Sequence, residues 1–233
     1  MPKYTTVFML GIALLGGCKK QAAEPANPSP AIPEAAQQGD PQADSQAVHV
    51  TEAAAVSTQP EYGQPPTVDV GLSVEQAYAA IPHRRTIWED SDTTVPPADK
   101  EYLKVMFQVL DQGVAVRVAG LQNYSNQQYD GANIDGEFDR LISFVHTMPV
   151  PRNLATYHNE VLMGLTGQRA FFAEWKTQRD QFAFSRQIAD HPGVKSASNA
   201  LRSAYGELMA KYPNESPRNK DAFFDYHCAL DFL

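Results

Sequence analysis

Asn153-LATYHNEVLMGLTGQRAFFAEWKTQRDQFAFSRQIA-Asp190 runs for 38 residues without a proline. Leu154, His158, Val161, Leu165, Gln168, Phe172, Trp175, Arg179, Phe182 and Arg186 recur along it at steps of three and four. That rhythm is the signature of one face of an amphipathic helix, and it predicts a helix of about five heptads here. Gly164 and Gly167 weaken such a helix by about 1 kcal/mol each relative to alanine, so they mark a kink or a close crossing by a neighbour. His191, Pro192 and Gly193 stop it.

The same rhythm continues on both sides. Upstream, Ser73 begins S-V-E-Q, a capping-box pattern that opens a short helix limited by Pro82. Pro96 and Pro97 precede a longer stripe of Leu103, Phe107, Leu110, Val114 and Leu121, and a polar loop from Gln122 to about Gly131 ends it. Ile134, Phe138, Leu141, Val145 and Met148 form the next stripe, closed by Pro149 and Pro151. Downstream, Val194, Ala197, Leu201, Tyr205, Leu208 and Tyr212 precede Pro213, and Ser216 with Pro217 suits the start of a last helix carrying Phe223, Phe224, His227 and Leu230. The only β-leaning run, G-V-A-V-R-V from Gly113 to Val118, lies inside a helical stripe. The pattern predicts an all-α fold: an antiparallel bundle of about four long helices, with shorter N- and C-terminal helices on its side or completing it.

Residues 67–233 form this domain, and the texture before them differs. Residues 18–66 are rich in Ala, Pro, Gln and Ser, with Tyr62 as their one aromatic and prolines at 25, 28, 30, 33, 41, 60, 65 and 66. Too little apolar surface is present to offset the entropy of ordering, so this stretch reads as an extended, disordered tether. Residues 1–17 carry Lys3, an apolar run from Val7 to Leu15, and Gly16 and Gly17 ahead of Cys18. The run is too short to span a bilayer.

Leu15-Gly16-Gly17-Cys18 resembles the lipobox of bacterial lipoproteins. The resemblance covers the first eighteen residues only. It implies a signal peptide of residues 1–17 and a mature chain that begins at Cys18, with a thioether-linked diacylglycerol and an acylated amine. The partner so implied is the lipid bilayer. Lys19 and Lys20 follow, with no aspartate to mimic the inner-membrane retention signal of enteric lipoproteins, which implies a domain on the outer membrane facing the periplasm. Acylation of Cys18 would leave Cys228, the only other cysteine, without an intramolecular partner.

A net charge of −8 argues against nucleic acid, whose phosphates need a basic face. No P-loop, dinucleotide fingerprint, G-x-S-x-G elbow, H-E-x-x-H or C-x-x-C-H sequence occurs. Gly131 to Asp139 resembles the middle of an EF-hand, but Gly131 and Ile142 fall where the anchoring carboxylates belong, so an acidic helix start is the better reading and no metal site is assigned. Asp225, His227, Cys228 and Asp231 are close in sequence, yet adjacent residues on a helix diverge by about 100°, so local spacing builds no thiol and imidazole pair.

The candidate ligand or polar-core residues are His158 and His227, which sit on apolar stripes, and Gln168 and Arg179, which interrupt one. His83, Arg84 and Arg85 form a candidate surface contact beside Glu89, Asp90 and Asp92. The leading expectation is a non-enzymatic binding or interaction domain for an envelope protein or small ligand, with no cofactor. The alternatives are a bundle holding haem or a metal through His158 or His227, and an envelope hydrolase whose site gathers Arg84, Arg179 and His158 from distant positions.

Overall fold

Ser73 accepts from the Gln76 amide at 3.2 Å while the Gln76 side chain accepts from the Ser73 amide at 2.8 Å. This capping box opens α1, Val74–Ala79. In this computed structural model, which describes residues 61–182 and 185–231, every later helix that has a proline at its start uses it where the missing N–H costs nothing. They are α2, Pro97–Ser125, α6, Pro192–Lys211, and α7, Pro217–Leu230, whose cap Ser216 accepts from the Asn219 amide. Between them lie α3, Ile134–Thr147, capped by Asn133, α4, Ala155–Thr177, and α5, Ser185–Asp190. The described residues contain no strand, so the fold is all-α.

The single helix expected over 153–190 is corrected. α4 ends at Thr177, a 3₁₀ turn covers Arg179–Phe182, and α5 is separate. The Thr177 hydroxyl donates back to the carbonyls of Ala173 and Glu174, at 3.3 and 2.9 Å, and Gln178 leaves helical geometry with φ −117° and ψ 55°. Phe182 explains the fold-back. Its ring centroid lies 5.4 Å from that of Phe171, whereas eleven residues of straight helix would hold the two ~16 Å apart.

Contacts between named residues give the directions. Gly113 meets Leu165 and Leu230, and Gly120 meets Phe172, while Tyr102 meets Tyr157 at one end and Tyr124 meets Trp175 at the other. α2, α4 and α7 therefore run the same way. α3 runs against α4, because Phe138 lies on Phe172 and Asp139 on Arg169. α6 does too: a Cβ at Gly164 would lie 2.8 Å from Leu201 and one at Gly167 2.9 Å from Ala197. The two glycines thus serve a close helix crossing. The result is an up-and-down bundle in which α2 is central, and from Val114 to Leu121 every residue of it is buried. α7 completes the core with Phe223, Tyr226, His227 and Leu230, all buried.

The packed region starts ahead of Thr67, since Tyr62 lies edge-on to Tyr102 at 5.8 Å. The lipobox, Cys18 and the tether up to residue 60 lie outside the described residues. Cys228, half-buried on α7, is disulfide-bonded, which corrects the expectation of a lone thiol. No helix among the described residues is long and apolar enough to cross a membrane.

Candidate functional site

His158 and His227 both enter the core, and each contacts one member of a tyrosine pair. His158 Nδ1 lies 2.9 Å from the Tyr102 hydroxyl. The ring of His227 lies 5.6 Å from that of Tyr157, edge to face. His227 Nδ1 is 2.6 Å from the Phe223 carbonyl, which can only accept, so the proton sits on Nδ1 and Nε2 is a buried acceptor with no partner. Burial holds His227 down at about 4 against that hydrogen bond, and burial followed by the nearby charge of His146 holds His158 below its ordinary value. Both are neutral imidazoles in the core near neutral pH. Their Nδ1 atoms are already engaged by the protein, and no group of three or more His, Cys, Asp or Glu among the described residues is arranged to hold a metal ion.

Gln168 is fully buried and donates to the Leu230 carbonyl. Arg117, also buried, donates to the Ala229 carbonyl at 2.7 Å. Two side chains from α2 and α4 therefore satisfy the last carbonyls of α7, which a helix terminus cannot satisfy itself. The positive charge of Arg117 lies at the negative end of the α7 dipole. Gln168 is thus a polar-core residue with a structural task. Arg179 is exposed: its Nε donates to the Lys176 carbonyl at 3.3 Å and its guanidinium lies over Tyr129.

The three residues expected to gather in a hydrolase site are spread out. His158 lies near the start of α4 and Arg179 just beyond its end, ~30 Å away along the helix rise. Arg84 pairs with Asp221 at 3.0 Å and Asp225 at 3.4 Å. Its neighbours are turned inward: His83 Nε2 donates to the Asp225 carbonyl at 3.0 Å, and Arg85 pairs with buried Asp111, which also accepts from Tyr78 at 3.1 Å. His83 and Arg85 clamp the segment to α7 and α2, while Arg84 keeps its side chain exposed beside Asp221 and Asp225.

That clamp belongs to a larger arrangement that the sequence did not disclose. Residues 83–95 have almost no regular structure, yet α7 and the turn before it satisfy their backbone with side chains. Asp225 accepts from the Thr86 amide, Asn219 from the Glu89 amide and Glu215 from the Thr94 amide, at 3.0, 2.8 and 2.8 Å. Asn219 also donates to the carbonyls of Glu89 and Asp92, both at 2.9 Å. Buried Trp88 and Val95 anchor the strap between these rungs. Asp99 plays a similar part at the start of α2, accepting from Asn153 at 2.6 Å and Tyr212 at 3.0 Å.

The surface carries a shallow, open recess of about 460 Å³. Gln64 and Pro66 form one wall, and Asp139, Arg140, Ser143 and Phe144 of α3 form the other. Phe144 supplies an apolar floor, and a Cβ added at Gly63 would lie 3.6 Å from it. Asp139 and Arg140 bring opposite charges to the rim, where Asp139 also meets Arg169 at 3.1 Å and Arg140 meets Glu137 at 2.7 Å. A half-buried aromatic with mixed polar groups around it suits contact with a polypeptide.

No protein-family model, curated protein or solved structure matches this chain.

Proposed function

We propose that the chain is a lipid-anchored protein of the bacterial cell envelope, whose helical domain acts by binding an envelope protein and not by catalysis. The lipobox-like sequence at Leu15 to Cys18 supports the anchor. The position of the recess carries the binding reading: it lies at the root of the tether, between Gln64 and Pro66 on the segment leading in and α3 on the bundle. The buried histidines, Gln168 and Arg117 are occupied by the interior and are not available to a substrate.

A photo-crosslinking side chain at Ser143, in the full chain in its own cells, should capture a protein, whereas one at Gly206 on the exposed side of α6 should not. Equal capture at both positions, or none at Ser143, would sink the binding reading. Incorporation of an alkyne-labelled fatty acid should be lost in Cys18→Ser. The sulfur of Cys18 can hold a thioether or a disulfide but not both, and the intact mass of the purified chain before and after reduction reads which of the two it carries. Unlabelled Cys18 would overturn the anchor.

A further inference from the structure

At the far end of the bundle from His158, α2 ends in a turn that brings Tyr129 back against Tyr124, with ring centroids 5.1 Å apart. Tyr124 is itself held rigidly, edge-on to Phe172 at 5.7 Å and Trp175 at 5.6 Å. Over Tyr129 sits the guanidinium of Arg179, 4.4 Å from the ring centroid. Arg179 comes from the short 3₁₀ turn after α4 and is otherwise tied only through its Nε, so it is the movable partner of the pair.

Two polar atoms beside this stack are buried and have no partner: the Tyr124 hydroxyl and Oδ1 of Asp135. Tyr124 is only 1 % exposed. After burial, the charges of Asp135 and then Asp130 do most to oppose ionisation of its hydroxyl, and Tyr129 and Arg179 also act on it. The other oxygen of Asp135 lies 3.9 Å from Lys176, which leaves Oδ1 as an accepting atom within the cluster. α2 ends here with no basic residue in its last turn, so the negative end of its dipole adds to the field of the two carboxylates.

The whole arrangement is cation-seeking: a π face, two carboxylates, a helix C-terminus and two buried oxygens without a donor. We propose that Tyr129, Tyr124, Asp130 and Asp135 form a binding site for a primary ammonium or guanidinium group, and that Arg179 is the internal competitor such a ligand displaces. The ligand's N–H groups donate to Asp135 Oδ1 and to the lone pair of the Tyr124 hydroxyl, while its charge lies on the Tyr129 face. This site is separate from the recess on α3 and stands or falls independently of it.

The test is calorimetric titration of the full chain in detergent with methylguanidinium. Arg179→Ala should bind it roughly tenfold more tightly than the wild type, the scale of one partly desolvated cation–π contact. Arg179→Lys, which keeps a competing cation, should bind as the wild type does. Adding Asp135→Asn to Arg179→Ala should cancel the gain, with helical circular dichroism unchanged. Equal affinity in wild type and Arg179→Ala, or a gain that survives Asp135→Asn in a folded protein, would overturn the proposal.

Discussion

Arg117 donates to the carbonyl of Ala229, 112 residues further along the chain, across 2.7 Å in the buried centre of the bundle. Burial pulls the guanidinium down only to about 10, so it keeps its charge at neutral pH, and Asp231 helps to hold it there. Removing one side of such a contact leaves an unsatisfied carbonyl and an unopposed helix terminus. Arg117→Met should therefore lose about 2–4 kcal/mol in urea unfolding. Gln168→Leu, which removes a neutral donor from the next carbonyl, should lose less, about 1–3 kcal/mol.

His227 sets an acid limit on stability. Its folded value is about 4 against 6.5 when unfolded, because burial penalises the imidazolium. The unfolded chain therefore takes up a proton that the fold refuses, and stability falls as pH drops from about 6.5 towards 4. The slope is at most ~1.4 kcal/mol per pH unit for this group. His158 and His83 are shifted the same way, burial being the largest cause for each, and steepen the loss. Urea midpoints between pH 6.5 and 5 should fall less steeply in His227→Asn than in the wild type.

Gln127 has φ 59°, a left-handed backbone that a side chain disfavours. The geometry closes the end of α2: Gln128 N–H reaches the Asn123 carbonyl at 2.7 Å and Gln127 N–H the Tyr124 carbonyl at 3.0 Å. Glycine is the usual residue at this position of a Schellman turn. Gln127→Gly should stabilise the domain by about 0.5–1 kcal/mol, read as a higher urea midpoint at unchanged slope.

Two glycines should respond with opposite signs to the same change. A Cβ at Gly167 would lie 2.9 Å from Ala197 and 3.3 Å from the Gly193 carbonyl, so Gly167→Ala must push α4 and α6 apart and should cost about 1–3 kcal/mol. Gly206, exposed in α6, has nothing within 4 Å of such a Cβ. Gly206→Ala should gain about 0.5–1 kcal/mol by helix propensity, and the paired thermal melts check both.

Helix starts were legible because their determinants are local. Ser73 with Gln76 and Ser216 with Pro217 cap helices within three residues of themselves. The break after Thr177 was not, because Phe182 keeps the three-and-four rhythm while its ring serves a fold-back onto Phe171 and Trp175. Periodicity cannot separate a continued helix from a returning chain. Gln168 was found as a polar interruption of an apolar stripe, but Asn219, Glu215 and Asp225 resemble any polar helix face until their partners 121 to 139 positions upstream are known. The trio His83, Arg84 and Arg85 was visible as charge, and the inward direction of His83 and Arg85 was not, since that depends on Asp225 and Asp111.

The rungs between residues 83–95 and α7 also set a timetable. None of them can form before Glu215, Asn219 and Asp225 have been synthesised, so the strap waits for the last helix to arrive. The neighbouring pairs α3 with α4 and α4 with α6 close over much shorter loops and can assemble first.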